Sequence, residues 1–231
     1  MALLLKLLPL IVLGVALWWM LTAQSRLRAQ LMRNSRPLAD GAILEKTAAF
    51  AGALGAPRPF AVRVLQMEGI NGLALPGGEI FISSGLYDRM RAGAVTRDEV
   101  AAVIAHEIGH VALDHHAKRA VAWRAETAAI ATLGALFGRA LFGWAGLLIY
   151  LAMRLMRSRL SQRDEYEADA FAAQLMIRSG LNPNASVTLL EKLSAMGGEG
   201  PVLPWLRSHP RIADRVAALR QVIEAYPRSA A

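Results

Sequence analysis

The sequence predicts a mainly helical α+β domain with one small β-sheet, preceded by an N-terminal transmembrane anchor. Three observations carry that prediction. An apolar run opens the chain, a single stretch has strand character, and most of the rest repeats apolar residues at the three-to-four spacing of packed helices. At 231 residues the chain suits one well-buried domain with appendages. Cysteine is absent, which excludes disulfides, thiolate metal sites and cysteine nucleophiles, and leaves histidine and carboxylate to hold any metal. The net charge of +8 comes from scattered arginines, with no basic stripe interleaved with aromatics. That argues against a nucleic-acid partner, and basic residues flanking apolar runs suit an anionic bilayer surface.

The elements follow in chain order. Leu3 to Ala23, "LLLKLLPLIVLGVALWWMLTA", is apolar for about twenty residues, the length a helix needs to cross a bilayer, with Lys6 alone interrupting. Trp18 and Trp19 suit an interfacial belt, and residues 1–24 are read as the anchor. A cleavable signal peptide is the rival reading, disfavoured by the tryptophan pair near the cut. Arg26, Arg28, Arg33 and Arg36 follow, then an amphipathic helix from Ile43 to Leu54 that stops at Gly55 and Pro57. Ala61 to Leu65 reads as a strand, and "EIFISS" as another after a Gly-Gly turn. Thr96 and Glu99 have capping-box spacing and open the next helix. A second apolar region spans 128–153, and helices are expected over 161–180, 182–196 and 209–226.

The chemistry gathers in "AAVIAHEIGHVALDHH", which holds four of the five histidines. Residues four apart on a helix are offset by about 40°, so His106 and His110 project side by side and can ligate one Zn²⁺. Glu107, beside the first ligand, can take a proton from a metal-activated water. A catalytic zinc needs a third protein ligand and an open position. His116 has the spacing of a metzincin third histidine, but Leu113 stands where that motif needs glycine. If the helix simply continues, His115 and His116 point away from the ligand face. Glu165 in "DEYEADAF" is the better candidate, because Asp169 lies four residues later on the same face and can accept from a ligand histidine's other N–H. Glu167 falls on the opposite face and is read as a solvated charge.

Together, "HEIGH", "RDEYEADAFA", "NGLALPGGEIFISSGL" and "SHPRIADRVAAL" resemble the gluzincin membrane metallopeptidases, the family of HtpX, the CAAX prenyl proteases and the Oma-type proteases. The resemblance covers Asn71 to about Leu219. It implies a minigluzincin-type zinc peptidase domain in which His106, His110 and Glu165 bind one Zn²⁺, Glu107 is the general base and Asp169 supports the site. It implies that Asn71 and the strand around Gly78, Glu79, Ile80 and Phe81 present an open edge to an extended peptide substrate. His209 in "SHP" matches a histidine placed near the metal, to stabilise an oxyanion or cap the zinc, with Arg215 orienting it. His115 matches a histidine common in the Oma-like branch, where a structural role is expected.

Topology constrains the rest. One crossing by 128–153 would put His110 and Glu165 on opposite sides of the bilayer, and two crossings need roughly forty apolar residues. The segment is therefore expected to form a short hairpin that lies on the membrane or packs in the soluble core, within a peptidase domain spanning 25–231. The expected activity is that of a membrane-anchored zinc metalloendopeptidase in membrane or envelope protein quality control. A zinc-stabilised chaperone or scaffold is the alternative. The arginines after the anchor place the domain on the cytoplasmic side of a bacterial inner membrane, with the periplasm as the alternative.

Overall fold

In chain order the backbone forms α1 (Ala23–Arg33), β1 (Ser35–Pro37), α2 (Gly41–Ala53), β2 (Ala61–Leu65), β3 (Gly72–Ala74), β4 (Glu79–Ser83), α3 (Ser84–Arg91), α4 (Arg97–Ala112), α5 (Trp144–Arg178), α6 (Asn184–Gly197) and α7 (Ile212–Ala225). This computed structural model describes residues 22–75, 77–115, 117–121, 144–197 and 212–226, with Trp18, Arg124, Thr127, Ala128 and Thr132, and only the backbone of residues 24 and 144–160. Most of the expected anchor, His116, His209 and nearly all of 128–143 lie outside the described residues. The chain divides into two compact units, Met1–Arg36 and Pro37–Ala231. Among the described residues no helix is long and apolar enough to cross a membrane.

Strand β4 lies between β2, which runs parallel to it, and β3, which runs antiparallel. In β2 the buried Val62 and Val64 alternate with the less buried Ala61, Arg63 and Leu65, as a strand with one covered face requires. From Ile80 to Ser83, β4 is buried at every position, because it has neighbours on both sides and is covered on both faces. This corrects one expectation. The strand from Glu79 is interior, hydrogen-bonded to β2 and β3, and has no open edge for a substrate. The sequence reading also missed β3, whose three residues are too few to show alternation.

Helix α4 is the centre of the domain. Thr96 Oγ1 accepts from Glu99 N at 3.1 Å and Glu99 Oε2 accepts from Thr96 N at 2.8 Å, the reciprocal cap the sequence predicts. Every residue from Glu99 to His110 is buried, so the helix is enclosed on all sides. Ile104 and Ile108 join Ile43 and Phe50 of α2, Val64 of β2 and Ile80 of β4 in one core, each such side chain contributing about 1.5–3 kcal/mol on burial.

Residues 144–153, the end of the second apolar region, and the next helix are one element. From Leu147 to Ser179 there is no glycine or proline to interrupt it, so α5 runs for 35 residues, about 52 Å, until Gly180. It meets α4 through small residues. A Cβ placed on Gly109 would lie 3.1 Å from Ala168 O and 3.2 Å from Ala168 Cα, which shows how closely the two backbones approach. Ala168 and Ala172 are buried, and Glu165 and Asp169 share their face at helical spacing. Close packing of α4 on α5 thus sets the two carboxylates opposite the two histidines.

Candidate metal centre

The histidine side of the site comes from α4. His106 and His110, one turn apart, are both buried, and their Nε2 atoms lie 3.1 Å from each other. From α5, buried Glu165 brings Oε2 to 3.4 Å from His106 Nε2 and Oε1 to 3.5 Å from His110 Nε2. A tetrahedral zinc bound at about 2.0–2.1 Å holds its donors about 3.3 Å apart. The separation of the two ring nitrogens, and the approach of one Glu165 oxygen to each ring, are of that size, and two imidazoles with one carboxylate are a donor set suited to zinc. Among the described residues this is the one group of three whose ligand atoms all lie within 4.8 Å of one another.

Around these donors the structure adds oriented partners. His106 Nδ1 lies 2.9 Å from Asp169 Oδ1. Asp169 in turn accepts from Arg215 of α7, at 2.6 Å from Nε and 2.7 Å from Nη2, and Arg215 Nη1 lies 3.5 Å from Glu165 Oε2. Arg215 was expected to orient His209, which lies outside the described residues; among the described residues it binds Asp169 and approaches Glu165. Burial raises the Asp169 carboxyl, but the charge and hydrogen bonds of Arg215 outweigh it and hold the group below its usual range. For His106 burial acts downward, yet the hydrogen bonds and charges of Asp169 and Glu165 prevail and raise its pKa to about 9.

Glu107 is buried beside β3. A Cβ on Gly72 would fall 2.8 Å from Glu107 Oε1 and 2.8 Å from Val103 Cγ1, so only glycine lets that strand run so near the acid. The other expected substrate-strand residues have structural duties. Asn71 and Ser83 join the strands, Gly78 turns the hairpin at φ +80 with its N–H bonded to Leu75 O, and Ile80 and Phe81 are core.

Two assignments from helical periodicity change. Helix α4 ends at Ala112 and Asp114 takes φ +56, so the helix does not continue to His115. His115 is thereby fully buried with Nδ1 2.9 Å from His110 Nδ1. Glu167, expected to be a solvated charge, bonds Arg163 Nε at 2.7 Å and His115 Nε2 at 3.3 Å. Arg119 also escaped notice: its Nε lies 2.6 Å from Asp164 Oδ2 and its Nη2 3.5 Å from Glu165 Oε1. The one available signal was Asp114, since aspartate tolerates left-handed backbone and can end a helix before His115.

Two imidazoles and a glutamate at this spacing, with an acid following the first histidine, define the class of zinc-dependent peptidases. Residues 39–223 match peptidase family M48, and the chain belongs to that family and carries its zinc metalloprotease domain. It is 34% identical to Metalloprotease LoiP of Escherichia coli (strain K12) over 73% of this chain and 64% of the relative. It is 30% identical to the Beta-barrel assembly-enhancing protease of the same organism over 82% of this chain and 41% of that protein. With the Mitochondrial metalloendopeptidase OMA1 of Schizosaccharomyces pombe it shares 29% identity over 65% of this chain and 43% of the relative. The chain therefore spans about two fifths to two thirds of the length of these relatives.

Proposed function

We propose that this protein is a membrane-anchored, zinc-dependent endopeptidase acting in membrane or envelope protein quality control. His106, His110 and Glu165 would hold the metal, and Glu107 would act as general base. The observation that carries this reading is the convergence of the three buried side chains, with the two Nε2 atoms 3.1 Å apart, Glu165 Oε2 3.4 Å from that of His106 and Oε1 3.5 Å from that of His110. When bound, zinc supplies Lewis-acid chemistry, polarising a scissile carbonyl and acidifying water. Glu107 takes a proton from the attacking water and delivers it to the leaving amine. Asp169, clamped by Arg215, holds the His106 ring in register. His209 is assigned to oxyanion stabilisation or to capping the metal on the family resemblance alone.

An extended peptide would pair with β3, the terminal strand beside Glu107. In the β3–β4 ladder Leu75 bonds Glu79 and Ser83 bonds Asn71, so by alternation the peptide groups of Gly72 and Ala74 are directed away from β4. Gly72 and Ala74 are buried, so pairing requires whatever shelters that edge to withdraw.

Anchoring by residues 1–24 and a cytoplasmic orientation rest on the apolar run and the arginines after it. Quality control is supported by relatives named for β-barrel assembly and for mitochondria. An active alkaline phosphatase fusion at the C-terminus, with an inactive fluorescent one, would place the domain in the periplasm instead.

The test of function is Glu107→Gln in the full chain. We expect stoichiometric zinc and a loss of casein hydrolysis of about 10²–10⁴-fold. Undiminished cleavage overturns the assignment of the base. If the variant loses cleavage but complements a deletion strain fully, the protein serves as a zinc-stabilised scaffold.

A further inference from the structure

His110 has two ring nitrogens with different surroundings. Its Nε2 faces the donor cluster, 3.1 Å from His106 Nε2 and 3.5 Å from Glu165 Oε1. Its Nδ1 faces the opposite way, 2.9 Å from Nδ1 of His115, a side chain with 0% exposure. Two imidazoles that meet through nitrogen at this distance must share one hydrogen between them: one donates and the other accepts. On a continuous helix a residue five positions on would lie about 140° around from His110. The contact exists because α4 ends at Ala112 and Asp114, at φ +56, breaks the helix before His115.

We propose that His115 is a positioning residue for the metal site: it accepts the Nδ1 hydrogen of His110, and Glu167 keeps it in the tautomer able to do so. The proposal rests on the reading that His110 ligates the metal through Nε2. A ligating Nε2 offers its lone pair to the metal, so neutral His110 carries hydrogen on Nδ1 and must donate. His115 Nδ1 must then be bare, which puts its hydrogen on Nε2. That atom lies 3.3 Å from Glu167 Oε2, and Glu167 Oε1 accepts from Arg163 Nε at 2.7 Å. The opposite tautomer of His115 would set two hydrogens against each other at His110 and a bare nitrogen against a carboxylate. Each step of the series therefore requires the next. Asp164, the other carboxylate near His115 Nε2 at 4.0 Å, is held by Arg119 at 2.6 Å, and with Arg163 on Glu167 the guanidinium groups occupy this cluster in place of a second cation. The two ligand histidines are thus held differently: His106 directly by a carboxylate, and His110 through a second imidazole.

The test is zinc affinity of the detergent-solubilised full chain, by chelator competition, with visible spectra of the cobalt-substituted protein. His115→Phe keeps the volume and removes the acceptor; we expect zinc affinity to fall about 10–100-fold and the cobalt bands to shift. His115→Asn places an amide oxygen near the position of Nδ1 and should restore most of the affinity and the bands. Glu167→Ala, at a side chain 34% exposed, should give a smaller loss in the same direction without unfolding. Wild-type affinity in both His115→Phe and Glu167→Ala overturns the proposal, as does equal impairment by Phe and Asn, which would mean packing alone. If His115→Phe does not fold, unchanged affinity in Glu167→Ala overturns it. Wild-type zinc affinity in His110→Ala and Glu165→Ala would sink the ligand reading and this inference with it, whereas losses there and none in the His115 and Glu167 variants sink this inference alone.

Discussion

Arg215 grips Asp169 through two parallel bonds of 2.6 and 2.7 Å, with the arginine 1% and the aspartate 7% exposed. Removing one partner leaves the other charge buried and alone, which costs more than the pair contributes. Arg215→Met should therefore destabilise the domain by about 3–5 kcal/mol in urea unfolding. It should also weaken zinc binding, since Asp169 would no longer be held against His106. Arg215→Lys cannot make the bidentate contact and should recover only part of the loss. A stability change below about 1 kcal/mol would show the pair to be solvated and idle.

Gly72 is the point where β3 touches the proposed base. In Gly72→Ala the new methyl would sit 2.8 Å from both Glu107 Oε1 and Val103 Cγ1, so the Glu107 side chain must shift. A displacement near 1 Å can cost up to about a hundredfold in turnover. The expected result is a fall in kcat with zinc content unchanged. Full turnover in a folded Gly72→Ala protein would remove Glu107 from the chemistry or show that it reaches water from a second rotamer.

At Gly109 two effects of alanine oppose each other. Within a helix, Ala is favoured over Gly by about 0.8–1.0 kcal/mol. Against that, the added Cβ meets Ala168 O at 3.1 Å and Cα at 3.2 Å, backbone atoms that cannot rotate aside. Overpacking of this kind costs about 1–3 kcal/mol, so the clash should prevail. Gly109→Ala should lower the unfolding midpoint and, by parting α4 from α5, reduce zinc affinity. A stabilised variant would mean the two helices have room to separate.

Glu99 should give the domain an acid-sensitive component that does not depend on metal. Burial pushes its carboxyl up, but bonds from Thr96, Lys192 and Thr188 prevail and hold it below the unfolded value of 4.5. A depressed folded pKa means the unfolded chain binds more protons, so stability rises with pH through this range. The contribution is fully present above about 4.5 and is lost as pH falls through the folded pKa. Denaturant midpoints from pH 7 down to pH 3 should drop less steeply in Glu99→Gln than in the wild type. Parallel profiles would show that Glu99 titrates alike in both states.

The sequence alone determined what lies within one helix. The spacing of His106 and His110, the pairing of Glu165 with Asp169 and the Thr96–Glu99 cap are all local, set by 3.6 residues per turn, and all reappear in the structure. Only the tertiary structure decided how separate elements meet. That β4 is interior follows from β3 and β2 flanking it, which no property of the "EIFIS" segment reveals. Arg215 binds Asp169 across 46 positions, and His115 meets Glu167 across 52. Neither contact has a period to betray it. Helical geometry even pointed the wrong way for His115 and Glu167, because it assumes a continuous helix and a face with no neighbour. One left-handed residue at Asp114, and the approach of α5 through Gly109, supplied what periodicity omits.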